Sequence, residues 1–165
     1  MHVLIVGMTE SGKTTLAKRL ANRFRSKGVG VLVLDPMHDP EWSADFQTSD
    51  PGQFLDVCRR STSCALFVDE AGAAIGRYDA QYDWLATRSR HFGHSCHFLT
   101  QRGAQLNPTV RGQCSGIALF AVNRADADLY AKEWNCDLLR SAPTLQRGEF
   151  IWATRFGTPR KEKLW

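Results

Sequence analysis

The eight residues Gly7-Met8-Thr9-Glu10-Ser11-Gly12-Lys13-Thr14 constrain this chain more than any other stretch, because they match the phosphate-cradling pattern G-x-x-x-x-G-K-[ST] at every fixed position. Their surroundings fit as well. His2 to Val6 is largely apolar and of strand length, and Leu16, Leu20 and Phe24 recur at the spacing of one helical face. Strand, glycine loop and helix in that order make a P-loop. Gly7 and Gly12 let backbone N–H groups turn inward around a polyphosphate, and the helix starting near Lys13 adds its positive dipole end. Lys13 is expected to reach the β- and γ-phosphates and Thr14 to ligate Mg²⁺, with Thr9, Glu10, Ser11 and Thr15 completing the nucleotide-binding stretch.

A chain of 165 residues can bury a real core, and it is expected to form one domain over residues 1–165. No apolar run approaches the ~20 residues of a membrane span, and the first strand leads into the P-loop with no cleavage pattern, so a soluble intracellular protein is expected. The formal net charge of +4 suits a polyanionic partner, and nucleotide alone accounts for part of it. Five cysteines, odd in number and without a C-x-x-C pair, read as reduced thiols mostly in the core.

Val31-Leu32-Val33-Leu34 reads as a buried parallel strand. Residues 35–51, punctuated by Asp35-Pro36, Asp39-Pro40 and Asp50-Pro51, read as a loop, and Pro51 opens a helix ending near Arg59 and Arg60. Cys64-Ala65-Leu66-Phe67-Val68 is the next buried strand and ends in Asp69-Glu70. Downstream of a P-loop, a strand ending in two acids supplies the other half of a nucleotide-hydrolysing site. Asp69 is assigned to Mg²⁺ through water, and Glu70 to the attacking water as general base. A helix over 80–91 is expected to face Tyr82, Leu85 and Ala86 inward and to carry Arg88, Arg90 and His91 near its end. A strand over 95–99 then leads into Thr100-Gln101-Arg102; if it lies between the P-loop strand and the Asp69 strand, its Gln101 amide stands beside the γ-phosphate. His91, His94 and His97, near Cys96, straddle a helix end and a strand and are not expected to converge on a metal. Further on come a strand over 116–122, a helix over 124–134 capped by Asn123, an alternating edge strand over 149–155, and a basic tail of Arg160, Lys161 and Lys163.

Assembled in this way, the chain resembles the FtsK/HerA superfamily of DNA-pumping P-loop ATPases over residues 3–134. The resemblance is carried by Gly12-Lys13-Thr14-Thr15-Leu16, by Leu66-Phe67-Val68-Asp69-Glu70, and by the stretch from Arg88 through Arg90 and Gly93 to Thr100-Gln101-Arg102. It implies a three-layer α/β P-loop NTPase fold with a mainly parallel sheet of the additional-strand type. In that type, a strand between the two nucleotide-binding strands presents a sensor glutamine, here Gln101. It also implies an arginine ahead of that strand that serves the neighbouring subunit, here Arg90, with Arg88 as the second candidate.

In its compactness the chain is similar to the genome-packaging ATPases of tailless, internal-membrane viruses. Ser89-Arg90-His91-Phe92-Gly93 and Leu99-Thr100-Gln101 are also similar to the Zot-like assembly ATPases of filamentous phages, which usually continue into a membrane anchor. The resemblance implies an ATP- and Mg²⁺-dependent motor that moves double-stranded DNA through a homo-oligomeric ring, in the host cytoplasm or at a virion vertex, with viral membrane or portal proteins as candidate partners. Phage extrusion is the alternative within the fold. A small-molecule P-loop kinase, for which 165 residues is a natural size, is the alternative of another class. Contacts to DNA are expected to go to phosphates, with Arg102, Arg111, Arg160, Lys161 and Lys163 as candidates.

Overall fold

Val3–Val6 (β1), Val31–Leu34 (β2) and Ala65–Val68 (β4) are four-residue runs without a polar position, and every residue in them is buried. Runs of that kind belong to strands covered on both faces. The computed structural model, which describes residues 1–71 and 79–165, joins them in one eight-stranded sheet. The other strands are Phe46–Thr48 (β3), Ser95–Thr100 (β5), Gly116–Leu119 (β6), Glu149–Thr154 (β7) and Arg160–Lys163 (β8). Their order is β3-β2-β4-β5-β1-β6-β7-β8, with β1 to β6 parallel and β7 and β8 added antiparallel. The inserted strand is where the resemblance implied: β5 lies between β1 and β4, with Thr100 beside Val6 and Phe98 beside Val68.

Successive strand residues point to opposite faces, and each face has its own core. On one face Val3 and Ile5 join Val33, Phe67 and Leu99 against Ala17 and Ala21 of Lys13–Ser26 (α1). On the other, Leu4, Val6, Leu34, Leu66, Val68 and Phe98 meet the buried sides of Pro51–Arg60 (α2), Asp79–Thr87 (α3), Pro108–Gln113 (α4) and Arg124–Glu133 (α5). Local chemistry sets the helix starts. Asp50 accepts from the Gln53 N–H at 2.8 Å ahead of Pro51, and Asn123 accepts from the Asp126 N–H at 2.8 Å. Among the described residues no helix is long and apolar enough to cross a membrane.

The structure departs from the sequence reading in three places. The stretch expected as a loop over 35–51 contains β3, a three-residue strand on the sheet's outer edge. The expected basic tail is β8, which pairs along β7, so β7 is interior and β8 forms the other edge. Charged side chains suit such an edge, because they discourage pairing with another chain. The helix expected over 80–91 ends at Thr87 and continues as a 3₁₀ turn, Ser89–Phe92, while the expected inward position of Tyr82 falls outside the described side chains.

All five cysteines are free, four of them buried, and burial pushes the Cys96 thiol up to about 12. The three histidines are satisfied separately. His94 accepts from the Cys64 N–H at 3.0 Å and faces the Cys58 carbonyl at 2.9 Å, His97 stacks on Phe67 at 4.4 Å, and His91 is exposed.

Candidate nucleotide-binding site

β1 delivers the chain to the C-terminal edge of the sheet, where the Gly7 N–H donates to the Thr100 carbonyl at 3.3 Å and the Met8 N–H to the Ala121 carbonyl at 2.9 Å. A methyl group on Gly7 would sit 2.5 Å from Phe120 Cβ and 2.7 Å from Ser11 Oγ, and Gly12 turns with a φ of 118°. Both positions therefore need glycine. Within this cradle the Ser11 hydroxyl is buried without a hydrogen-bond partner among the described residues. Lys13, only 8% exposed, donates to the Met8 carbonyl of its own loop at 2.8 Å. An orphaned hydroxyl and an ammonium folded back on the loop fit a polyphosphate, whose oxygens would accept from both. Thr14 is half-buried and Thr15 exposed in the first turn of α1, which contains no acidic residue to oppose an anion; Thr9 and Glu10 are exposed on the loop.

Two strands away, Asp69 and Glu70 leave β4 at the same edge. The Glu70 N–H donates to Asp69 Oδ1 at 2.8 Å, and Glu70 itself has a φ of 50°. A non-glycine residue there costs about 1–3 kcal/mol, a strain typical of positions that aim a functional side chain. β5 supplies the third part: Gln101 Nε2 donates to Glu70 Oε1 at 3.2 Å. The structure thus brings together the glutamine and the acid that the sequence named separately. Thr14 and Asp69 offer a hydroxyl and a carboxylate, hard oxygen ligands that suit Mg²⁺.

Sequence reasoning missed a further carboxylate. Asp35, 1% exposed at the end of β2, accepts from the N–H groups of Met37 and Asp39 at 2.8 and 2.6 Å and from Gln47 Nε2 at 3.2 Å. The Asp-Pro after a buried strand was the available signal, and it reads equally well as a turn. Burial pushes the Asp69 carboxyl up to about 6; the Glu70 N–H opposes that rise, while the charges of Glu70 and Asp35 add to it. Burial lowers the Lys13 ammonium, against the opposing pull of Glu70 and Asp69.

A carboxyl raised in the fold destabilises the fold where it is ionised. For Asp69 that cost is fully present above about pH 6 and is relieved progressively as pH falls towards its ordinary 3.8. Asp69→Asn is therefore expected to stabilise the nucleotide-free chain by about 2 kcal/mol at pH 7.5, a rise in melting temperature of roughly 4–8 °C, with the advantage shrinking below pH 6 and gone near pH 4. Thermal melts of both proteins across this range check it, and a variant less stable than wild type at pH 7.5 would contradict it.

The candidate arginines lie elsewhere. Arg88 and Arg90 are exposed at the 3₁₀ turn ahead of β5, on the sheet edge opposite the P-loop, and Arg90 Nη2 donates to Gln113 Oε1 at 2.8 Å. The six residues of β5 separate the two edges by roughly 20 Å. Arg111, expected to contact DNA, is instead buried. It donates to the carbonyls of Gly103 and Leu106 at 2.8 and 2.7 Å and pairs with Glu133 at 2.8 Å, so it fastens α4 to α5. Arg102 is exposed on a cleft shared with Thr9, Gln101, Asn123 and Asp126.

Comparison with known proteins bears out the resemblance to FtsK/HerA-type ATPases and the P-loop ATPase fold. The family model for the helicase HerA central domain matches residues 1–58, which hold the P-loop and α1. No curated protein matches in sequence. Among solved structures, the genome packaging NTPase B204 from Sulfolobus turreted icosahedral virus 2, in complex with AMPPCP, superposes with a TM-score of 0.83 at 19% identity, covering 98% of this chain and 96% of that one. B204, the DNA-packaging ATPase from Sulfolobus turreted icosahedral virus, gives 0.79 at 17% identity over 98% and 96%. VirB4 of Thermoanaerobacter pseudethanolicus gives 0.75 at 12% identity over 98% and 88%.

Proposed function

We propose that this chain is a Mg²⁺-dependent ATPase that drives double-stranded DNA through a homo-oligomeric ring, as the packaging motor of a viral genome, with residues 1–165 acting as one domain. The observation that carries this reading is the hydrogen bond from Gln101 to Glu70, which ties an inserted strand of the sheet to the group that would activate water. Lys13 and the loop N–H groups hold the β- and γ-phosphates, and Thr14 and Asp69 hold the metal. Mg²⁺ held by these two side chains would supply positive charge to offset that of the phosphates. Glu70 takes the proton of the attacking water, and Gln101 holds that carboxylate in place and reports whether the γ-phosphate is present. The near-complete mutual coverage with B204, described as a DNA-packaging ATPase, favours packaging over phage extrusion. A net charge of +4, exposed Arg102, and the exposed Arg160, Lys161 and Lys163 on β8 supply non-specific contacts to DNA phosphates.

The position of Arg90 and Arg88 supports the ring. Across a sheet from their own P-loop, they cannot reach its γ-phosphate, whereas a head-to-tail ring sets one subunit's nucleotide edge against a different surface of the next. An arginine reaching a neighbour's γ-phosphate contributes roughly 10³-fold or more to turnover. The alternative role, complementing a helix end, is worth only about 0.3–1 kcal/mol of stability. Arg90→Ala and Lys13→Ala are each expected to be nearly inactive alone and to regain ATP hydrolysis when mixed, because a mixed ring contains interfaces with an intact P-loop and an intact Arg90. Normal hydrolysis by Arg90→Ala, together with no recovery in co-assembled mixtures, would make Arg90 a structural residue.

A further inference from the structure

The P-loop has a neighbour that motif reading does not connect to it. The turn before β7 and the residues after β8 both return to the nucleotide edge, although they lie more than 130 residues along the chain. The Gly148 N–H donates to the Ser11 carbonyl at 2.9 Å, and the Leu164 N–H donates to the Gly148 carbonyl at 2.9 Å. Arg19 Nη1 of α1 donates to the Leu164 carbonyl at 2.5 Å, and the Leu164 side chain lies 3.0 Å from where a Gly12 side chain would begin. These contacts carry Trp165 to the mouth of the P-loop. It lines one cleft with Glu10, Gly12, Lys13, Thr14, Thr15 and Arg147. Its indole rests against Gly148, where an added Cβ would sit 2.7 Å from two ring atoms, yet the residue remains 55% exposed.

An aromatic ring backed on a glycine and left open beside a phosphate cradle is an unusual use of a large apolar side chain, because exposing it forgoes its burial. Of the five tryptophans, Trp42 and Trp134 are buried and Trp84 and Trp152 half-buried, so Trp165 alone is left exposed. Trp165 shares its cleft with Thr14 and Thr15 of the first turn of α1, directly beside the cradle in which the phosphates of a nucleotide would sit. We infer that Trp165 is a nucleobase platform, on which the base of the bound nucleotide stacks, and that Arg147 borders the stack. This inference rests on the nucleotide-binding reading above and adds to it the surface that distinguishes a nucleotide from a bare polyphosphate. Every base offers a π-face, so the platform supplies affinity for nucleotides as a class, with an advantage for the larger purines. Arg147, exposed on the rim, adds a planar guanidinium that can pack on the same stack.

The test compares two probes, ATPγS and inorganic tripolyphosphate, by calorimetry on the wild type and on Trp165→Ala and Trp165→Phe. Trp165→Ala is expected to weaken ATPγS binding roughly tenfold and to leave tripolyphosphate unchanged, with Trp165→Phe recovering most of the ATPγS affinity. A parallel loss for both probes would mean that Trp165 merely props the loop, and unchanged ATPγS binding in Trp165→Ala would remove it from the site; either overturns the platform while leaving the P-loop reading intact. Wild-type protein that binds neither probe would instead overturn the nucleotide reading, and the platform with it.

Discussion

Replacing Lys13 with alanine is expected to weaken ATP binding by two to three orders of magnitude while leaving the fold in place. In the free chain the ammonium is 8% exposed, its burial lowers its affinity for the proton, and its bond is to the carbonyl of Met8 in its own loop. Removing it therefore costs the fold one hydrogen bond, worth about 1 kcal/mol, and relieves a desolvated charge. The nucleotide complex loses much more, because a triphosphate would then sit in the cradle without its principal counter-charge. Deleting one member of a buried, hydrogen-bonded charge pair costs about 2–5 kcal/mol, and each 1.4 kcal/mol is tenfold in affinity. Titration with a non-hydrolysable analogue measures the loss, and a thermal melt without nucleotide separates it from unfolding. An affinity within threefold of wild type would remove Lys13 from the phosphate site.

Glu70→Gln is expected to do the opposite, keeping ATP bound and reducing turnover by roughly 10²–10⁴-fold, the range of a lost general base. The substitution keeps an oxygen that can accept from Gln101 at the position of Glu70 Oε1, so the geometry that joins β4 to β5 survives while the capacity to take a proton does not. It also removes one of the negative charges that raise the Asp69 carboxyl, so metal binding through Asp69 should not suffer. Single-turnover hydrolysis, run beside analogue binding on the same preparation, reads both quantities. Hydrolysis at the wild-type rate would place the base elsewhere, and lost binding would make Glu70 a binding residue. The contrast between the two variants is informative because the proposed mechanism has Lys13 act before the chemical step and Glu70 only during it.

How much of this was legible in the sequence depends on the distance over which each feature is determined. The P-loop is fixed by eight neighbouring residues, and Asp69-Glu70 by the buried run that precedes it, so both could be read locally. The insertion of β5 between β1 and β4 is a matter of topology, and only the resemblance implied it. The strands that went unread, β3 and β8, are short, sit on the two edges of the sheet and carry polar residues, so their pairing comes from backbone groups that composition does not mark. Arg111 looked like a surface cation because its partner, Glu133, lies 22 residues further on. The same distance effect hid Trp165, which the β7–β8 hairpin brings back to the first loop of the chain.

In the proposed motor, catalysis belongs to an assembly that works on DNA. ATP hydrolysis per subunit, measured in the presence of Mg²⁺ across protein concentration with and without double-stranded DNA, tests it most directly. The rate per subunit is expected to rise with concentration to a plateau, as rings complete the sites, and to be stimulated by DNA of any sequence, an effect that fades with added salt as phosphate contacts are screened. A rate per subunit that is constant over the same range and indifferent to DNA would describe a self-sufficient monomeric enzyme and would rule out the ring motor.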